Sequence, residues 1–563
     1  MKKNKKKNLA IKSALAGAGV LVLSSCSLYS MFNGGGAEPL SNIDPVDPSL
    51  LDTDKDGIYQ PKDGDLIPFS YRELYRSRGA DTVPSKGNNK ILVVPIEFSD
   101  YPFTNSFMSD LFACLKGTDV EALDYPSLAS YYKQSSFGAL NLDFQIAPIY
   151  KSGITAKKAY TRSLENGQSL GMENTDNGLF LVNAAVEKVK QYQDFNLKDF
   201  DTDGNGNLDG VIAVYSCPNS RNDSSLKAFD EVDYFWAYTF WGLQNPNKNA
   251  PTLNTYFWMS QDFLYKTGLE ENGVKKLDSH TLIHEFGHMI GLDDYYVSPD
   301  CKYSDIASFN PLGLGDMMDG NILDHNAFSK GVMGWKTPKV VYDSCKVTLG
   351  KATETGDSFI IPSSHWNGTL FDEYFIVEFY TPDGLNKKDS EVQFSPKRPK
   401  GFTIPGIKIY HVDARIKAVD IRFNASGKIV EESYTYYNGY NIKNDSYGYS
   451  RRYFETAASN NIKSEKRAPV TFSLIHQIEG SGDNTFLKGG FISNESLFQE
   501  GSIFSLSYSA HPGKPTFGET FMPKHTAFNN GDPFPFELEV SSITENNAVI
   551  SIKKADSSVQ TKA

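Results

Sequence analysis

Two histidines and two carboxylates in the stretch HEFGHMIGLDD, residues 284–294, have the types and spacing of a catalytic metal site. Residues four apart on a helix project from one side, so His284 and His288 can contact the same ion. Glu285 lies between them in sequence and can reach a water molecule at that ion. Asp294 follows the helix and is the candidate third ligand. Catalytic zinc takes three protein ligands and a water, whose pKa it lowers to about 7, so Glu285 would be the general base.

A helix must carry these residues, and the surrounding sequence predicts one. Asp278 or Ser279 can cap its start, and Gly291 lets the chain leave it and turn back. The apolar stripe available for burial comprises Leu282, Ile283, Phe286, Met289 and Ile290. The alternative is a pair of ordinary core or surface histidines. With only 9 histidines in 563 residues, however, HExxH followed by Gly and Asp is rare by chance.

A second candidate metal site lies in DTDGNGNLDG, which runs into an apolar strand at 211–215. Oxygen ligands at every second residue can surround calcium, and the glycines supply the backbone angles that such a loop needs. The candidate ligands are Asp201, Asp203, Asn205, Asn207 and Asp209. Ile212 stands where an EF-hand has its bidentate glutamate, so a calcium-free turn held by Asx hydrogen bonds is the alternative. A shorter string of the same kind comprises Asp52, Asp54 and Asp56.

The elements around these sites indicate an α/β (α+β) domain followed by a β-rich domain. The run ILVVPIEF from Ile91 predicts a buried strand, and later segments have helical and strand periodicity. Beyond Val340, short strands such as YFIVEFY and IPGIKIYHVD alternate with Gly, Pro and Asn turns, which favours a β-sandwich. The predicted bounds are 68–340 for the first domain, 341–554 for the second and 555–563 for a disordered tail.

The first 25 residues have the pattern of an export signal, with six lysines, no acidic residue and a short apolar run from Ala14 to Leu23. That run is shorter than the about 20 residues that span a bilayer. The signal resembles that of bacterial lipoproteins, which implies cleavage before Cys26 and lipidation of this cysteine; a plain signal peptide is the alternative. Residues 26–67, rich in Gly, Ser, Pro and Asp, are predicted to be a flexible acidic linker. The expected location is the extracellular face of a bacterial membrane.

Charge and cysteine spacing exclude two classes of function. The formal net charge is -12 and becomes more negative without the lysine-rich leader. An acidic surface repels nucleic-acid phosphates, so no nucleic-acid partner is expected. The remaining cysteines have no CxxC spacing and make no cysteine zinc site, while their pairing stays open. They are Cys114, Cys217, Cys301 and Cys345.

The metal-site sequence HEFGHMIGLDDYY resembles the HExxHxxGxxD helix of the immune inhibitor A-like bacterial metallopeptidases, where Asp replaces the third His of metzincins. GLGDMMDGN resembles the methionine turn beneath the metal in such enzymes, with Met318 as the matching residue and Met317 as the alternative. Less diagnostic matches extend from about Ile91 to Lys553. The resemblance implies a metzincin-like catalytic domain followed by β-structure, bound zinc and often calcium, and protein substrates.

Two positions depart from the pattern of that family. Asp293 stands where the family often has Pro, so two adjacent carboxylates compete for the third ligand position. Asp319 follows the methionines where Ser is usual, and its carboxyl must face outward or be paired. Tyr295 and Tyr296 are candidate oxyanion helpers, although an aromatic pair after a helix more often packs.

These observations together predict a membrane-anchored, zinc-dependent endopeptidase. Its substrates would be proteins or peptides, bound as an added strand along an edge of the catalytic sheet, with TYFWMS (Thr255 to Ser260) as the candidate edge. The alternative is a catalytically silent surface adhesin that uses the scaffold to hold a host protein or glycan. Glu285 favours the enzyme, because a pure binder has no use for a base beside a metal.

Overall fold

A computed structural model describes most of the chain, with gaps at both ends and at several internal positions. The described residues are 23–24, 45–118, 122–172, 174–242, 245–271, 274–299, 301, 308–424, 429–437, 446–447, 450–461, 473–522 and 527–555. Cys26 and all but the first residue of the predicted tail lie outside these ranges.

The helices in these ranges are short. They are α1 Tyr71–Ser77, α2 Phe107–Lys116, α3 Leu128–Ser135, α4 Ala156–Ser169, α5 Leu179–Val189, α6 Ser224–Lys227, α7 His280–Met289, α8 Met317–Gly320, α9 Ala327–Val332, α10 Lys387–Glu391 and α11 Phe517–Phe521. None of the described helices has the length and apolar character needed to cross a bilayer.

The strands occur along the whole described chain. They are β1 Leu23–Ser24, β2 Ile58–Tyr59, β3 Gly87–Glu97, β4 Leu140–Ile146, β5 Tyr150–Lys151, β6 Val211–Tyr215, β7 Tyr238–Trp241, β8 Thr255–Ser260, β9 Tyr265–Glu271, β10 Val274–Leu277, β11 Lys339–Val341, β12 Cys345–Gly350, β13 Ser358–Pro362, β14 Glu373–Tyr380, β15 Gly406–Asp413, β16 Ile416–Phe423, β17 Ile429–Tyr437, β18 Ser446–Tyr447, β19 Ser450–Thr456, β20 Ile475–Ile478, β21 Ile503–Phe504, β22 Phe536–Ile543 and β23 Asn547–Lys554.

The first sheet has the order β1-β7-β8-β6-β3-β4, with β5 also paired to β3. From β8 to β4 the strands are parallel, and β7 joins β8 antiparallel. Alternate residues of a strand face opposite sides, so the apolar runs of the central strands can cover two layers of helices. Ile212 and Val214 pack with residues of α7, whereas Val211 and Ala213 pack with residues of α4 and α5. The first part of the chain is therefore a mixed α/β unit with helices on both faces.

The predicted substrate edge, Thr255 to Ser260, is wrong. This segment is β8, which hydrogen-bonds to β6 on one side and to β7 on the other. All six of its residues are buried, as expected of an interior strand. Beyond β7, only the two-residue strand β1 is paired in the described chain.

The part beyond residue 340 is rich in antiparallel sheet. A six-stranded sheet has the order β2-β11-β13-β14-β15-β20, and a four-stranded sheet has the order β12-β23-β22-β21. Their facing residues form one buried cluster that includes Phe375, Val377 and Ile409 from the first sheet and Leu538 and Ile550 from the second. A further four-stranded sheet, β17-β16-β19-β18, lies against α1.

The expected flexible linker is a folded segment where the structure describes it. In the stretch from 45 to 67, strand β2 pairs with β11. The Asp52 carboxylate accepts a hydrogen bond from the Tyr342 hydroxyl and another from the backbone N–H of Asp54. The Asp string therefore makes local turns and contacts with the second part, which its acidic, turn-rich composition did not distinguish from a free tether.

The two parts of the chain share one core. It includes Ile283 and Phe286 of α7 together with Tyr374, Ile376 and Tyr410 of the six-stranded sheet. The boundary near residue 340 is thus a change in secondary structure inside a continuous body. The four cysteines of the described chain, Cys114, Cys217, Cys301 and Cys345, are free thiols.

Candidate metal centre

Helix α7 and the turn after it bring the predicted ligands together. Asp278 accepts a hydrogen bond from the backbone N–H of His280 at the start of the helix. At its end, Gly291 has φ +109°, a left-handed conformation that glycine adopts at little cost. The N–H of Leu292 then donates to the carbonyl of Gly287. The chain folds back over the last turn of the helix, which returns Asp294 to the histidines.

The three side chains meet at one carboxylate oxygen. Nε2 of His284 lies 3.2 Å and Nε2 of His288 lies 3.0 Å from Oδ1 of Asp294. Each of the three residues is 4% exposed. Among the described residues, this is the one group of three or more His, Cys, Asp or Glu side chains close enough to hold a metal. Asp294, and not Asp293, belongs to it.

Backbone carbonyls orient both imidazole rings. Nδ1 of His284 donates to the carbonyl of Met317 at 2.8 Å, and Nδ1 of His288 donates to the carbonyl of Leu292 at 2.7 Å. Because a carbonyl can only accept, Nδ1 carries the proton and Nε2 is the nitrogen turned toward Asp294.

The donor set fits zinc. Oδ1 of Asp294 is buried and accepts no well-aligned hydrogen bond from a described residue. Two nitrogens that each lie about 3 Å from this oxygen, with all three atoms within 4.8 Å of one another, suit an ion about 2 Å from each. Burial lowers the pKa of His288, but the Asp294 carboxylate outweighs it and raises that pKa to about 9. Against burial, the two histidines hold the pKa of Asp294 below its usual range. A dication binding here would take the place of the proton on His288.

Glu285 lies beside this group on the same helix. Burial raises the pKa of its carboxyl, while His288 and His284 oppose the increase. The hydroxyl of Thr239 on β7 donates to the backbone carbonyl of Glu285 at 2.9 Å and lies 3.4 Å from its Oε2. The helix is thereby tied to the border of the first sheet at the residue predicted to be the base.

The segment predicted to be the methionine turn, which includes Met317 and Met318, lies under α7. A Cβ added to Gly287 would overlap with Sδ of Met318, so this glycine permits the close approach of the two segments. Met318 is fully buried, and its carbonyl accepts a hydrogen bond from the N–H of Tyr295. The carbonyl of Met317 accepts the hydrogen bond from Nδ1 of His284. The turn therefore supports one metal ligand directly and the segment after Asp294 through Tyr295.

Asp319, which stands where the resembling family usually has Ser, and Tyr295 are fully buried beneath the site. Asp319 faces inward, and its Oδ2 accepts a hydrogen bond from the N–H of Leu314 at 2.8 Å. Burial raises the pKa of Asp319 to about 8. The hydroxyl of Tyr295 is hydrogen-bonded to that of Ser329, so this tyrosine packs below the site. The ring of Tyr296 stacks 6.4 Å from that of His284.

In the acidic loop at 201–209, two of the candidate calcium ligands are paired with arginine side chains. Arg72 pairs with Asp209 at 2.8 Å, and Arg76 pairs with Asp203. The Asp201 carboxylate accepts hydrogen bonds from backbone N–H groups within the loop, and Asn205 donates to Asp81. The structure does not gather the acidic residues of this loop into a three-ligand group. Calcium binding here stays a prediction, with the arginine pairs as its competitor.

Several groups at the site have no signal in the local sequence. They are the carbonyls of Met317 and Leu292, the hydroxyl of Thr239 and the amide of Asn461, which donates to Asp294. Each comes from a turn or from an element distant in sequence. A spacing pattern around the histidines cannot reveal them.

Comparison with known proteins finds a distant, partial similarity. The Pre-pro-metalloprotease PrtV of Vibrio cholerae serotype O1, in strains M66-2 and ATCC 39315 / El Tor Inaba N16961, is 25% identical over 255 residues. The match covers 39% of this chain and 26% of the relative, so the chain spans about a quarter of the length of these relatives. No protein-family profile matches the chain. The matched relatives are metalloproteases, and this chain has a buried His-His-Asp group that could hold a metal ion.

Proposed function

We propose that this chain is a zinc-dependent endopeptidase that hydrolyses protein substrates, held at the extracellular face of a bacterial membrane by a lipid on Cys26. The carrying observation is the convergence of Nε2 of His284, Nε2 of His288 and Oδ1 of Asp294 beside Glu285. We assign residues 68–340 to a metzincin-like catalytic part and residues 341–554 to a β-rich part. The distant similarity to a metalloprotease supports the same reaction class.

Zinc bound by these residues supplies a Lewis acid that acidifies water and polarises a peptide carbonyl. Glu285 removes the proton from the attacking water at its carboxylate and passes it to the leaving amine nitrogen. Burial raises the pKa of Glu285, which brings it nearer to the value at which one group can accept and then donate a proton. Thr239 and the two backbone carbonyls hold the base and the imidazoles in place.

Strand β7 is the proposed substrate edge in place of β8. It borders the sheet next to the metal helix, and Thr239 binds the helix at Glu285. Leu23 and Ser24 pair antiparallel with Trp241 and Phe240, so this edge accepts an extended segment. Because residues 1–25 are predicted to be removed as a signal peptide, a substrate could occupy the same edge by strand addition.

The test is cleavage of casein by the zinc-loaded protein, with and without a chelator, and by Glu285→Gln. We expect the chelator to abolish cleavage and Glu285→Gln to lower its rate by about 10²–10⁴-fold, because a general base is lost while the metal ligands remain. Zinc content, measured by elemental analysis, should be unchanged in this variant.

Glu187→Gln, an identical change at a glutamate with a 65% exposed side chain on α5, is the matched control and should cleave normally. Stoichiometric zinc in the wild type without cleavage of any substrate in a peptide library would contradict the proposal. That result would favour a surface adhesin on a metallopeptidase scaffold.

A further inference from the structure

The third metal ligand is held by a residue from the other part of the chain. Oδ1 of Asp294 faces the two histidines, and Oδ2 accepts a hydrogen bond from Nδ2 of Asn461 at 2.7 Å. Asn461 lies 167 residues further along the chain, a few residues after β19. An amide donor on one oxygen leaves the other as the metal-facing atom, so the carboxylate is set up to bind through one oxygen.

The residue before it holds the neighbouring backbone. Nδ2 of Asn460 donates to the carbonyl of Tyr295 at 2.8 Å and to the carbonyl of Ile475 at 2.7 Å. Its Oδ1 accepts from the N–H of Ile475. Asn460 is fully buried. The consecutive asparagines therefore contact consecutive residues, Asp294 and Tyr295, and tie them to β20.

Strand β19 itself is anchored on the catalytic part. The Ser77 hydroxyl at the end of α1 accepts a hydrogen bond from the N–H of Phe454 and lies 3.3 Å from the carbonyl of the same residue. Within the catalytic part, the N–H of Tyr295 donates a hydrogen bond to the carbonyl of Met318, and its hydroxyl is hydrogen-bonded to that of Ser329. The turn that carries Asp294 and Tyr295 is thus hydrogen-bonded to the catalytic part through Tyr295 and to the β-rich part through Asn460 and Asn461.

We propose that Asn461 is a positioning residue for the metal ligand Asp294, so that the β-rich part completes the metal centre. This inference rests on the proposed metal site and not on the chain being a protease. A neutral amide also keeps the charge of the ligand set at one carboxylate, which leaves the dication incompletely neutralised. Outer partners that orient metal ligands typically change metal affinity by about 10–100-fold when removed.

The test is the zinc dissociation constant of the full chain, measured by competition with a chromophoric chelator, in Asn461→Leu. This substitution keeps similar side-chain volume and removes the donor. We expect zinc to bind about 10–100-fold more weakly. The visible spectrum of the cobalt-substituted protein should also change, because the carboxylate ligand can rotate.

Val419→Ala is the control for a purely structural effect. Val419 is buried on β16, which pairs with β19, and belongs to a small apolar cluster that includes none of the metal ligands. Its truncation should lower the thermal midpoint and leave both the zinc dissociation constant and the cobalt spectrum unchanged. If Asn461→Leu does not fold, Asn461→Asp has the same shape, cannot donate when ionised and repels Asp294, so the cobalt spectrum should still change because the carboxylate ligand is no longer held in place.

Wild-type zinc affinity and cobalt spectrum in an Asn461 variant would overturn the inference. Equal weakening of zinc binding by Val419→Ala would overturn it too, since affinity would then follow the stability of the sheet. A wild-type protein that binds zinc but cleaves nothing would refute the proposed function while the loss in Asn461→Leu still supported the positioning role. A wild-type protein without zinc affinity would refute both.

Discussion

The segments at 284–294 and 201–209 both have metal-ligand residues at metal-ligand spacing, yet the structure uses them in opposite ways. In the first, three ligand atoms face one point, and carbonyl or amide groups hold the opposite atoms of each side chain. In the second, the Asp203 and Asp209 carboxylates face the guanidinium groups of Arg76 and Arg72. Two positively charged side chains stand where a cation was predicted.

The difference shows when spacing is informative. A buried carboxylate must be paired with an ion, a charged side chain or a proton, because burying it unpaired is costly. In a helix, residues four apart have a fixed relation, so the histidine pair follows from the sequence. In a loop, alternating oxygens leave the partner open, and here that partner comes from a helix 127 or 137 residues earlier.

The largest expected effect is on zinc itself. His288→Ala removes one of three ligands, so we expect zinc content to fall from about one equivalent toward zero and proteolysis to stop. Elemental analysis of the purified protein after dialysis measures the change. Asp203→Asn is the matched variant in the loop and should keep both zinc and activity. Equal zinc loss in the two variants would remove the distinction between the segments.

A smaller effect is expected from removing the arginine that serves the loop. The Arg72 side chain is 13% exposed and pairs with Asp81 and Asp209, which are 2% and 0% exposed. Arg72→Met removes the arginine partner of the buried Asp209 and leaves Asp81 paired with Arg76 alone, and we expect it to lower the free energy of unfolding by about 3–5 kcal/mol. The Arg76 side chain is 38% exposed, so solvent screens its ion pairs. We therefore expect Arg76→Met to lower the free energy of unfolding by only about 1 kcal/mol. Urea denaturation of the zinc-loaded protein ranks the two, and equal losses would contradict this account.

The effect of added calcium on thermal stability tests whether the same loop binds this ion. Because the arginines already neutralise Asp203 and Asp209, we expect calcium added to the zinc-loaded, calcium-free wild type to leave its thermal midpoint unchanged. A rise of several degrees would show that the loop binds calcium as its sequence predicts, with the arginines as a secondary feature.

Local regularity separates what could be predicted from what could not. The metal helix, its two histidines and the return of Asp294 after Gly291 follow from helix geometry and one glycine. The change from α/β to β-rich structure near residue 340 follows from periodicity. Strand order does not: β8 has the composition of a strand, but only the pairing with β6 and β7 makes it interior. Asn461 could not be predicted either, since its contact with Asp294 depends on how the two parts pack.

The smallest expected effect concerns Asp319, which sharpens the comparison as a buried carboxylate that forms no salt bridge with a described arginine. Burial raises its pKa to about 8, against about 4 in an unfolded chain. Between these values the folded state holds a proton that the unfolded state has released, so rising pH favours unfolding until the group ionises in both states. Asp319→Asn keeps an acceptor for Leu314 and removes this titration. We expect it to stabilise the protein by about 1–3 kcal/mol at pH 8 and by little at pH 5. Urea denaturation across that range at saturating zinc measures the slope, and parallel curves for the two proteins would mean that Asp319 ionises without cost in its buried position.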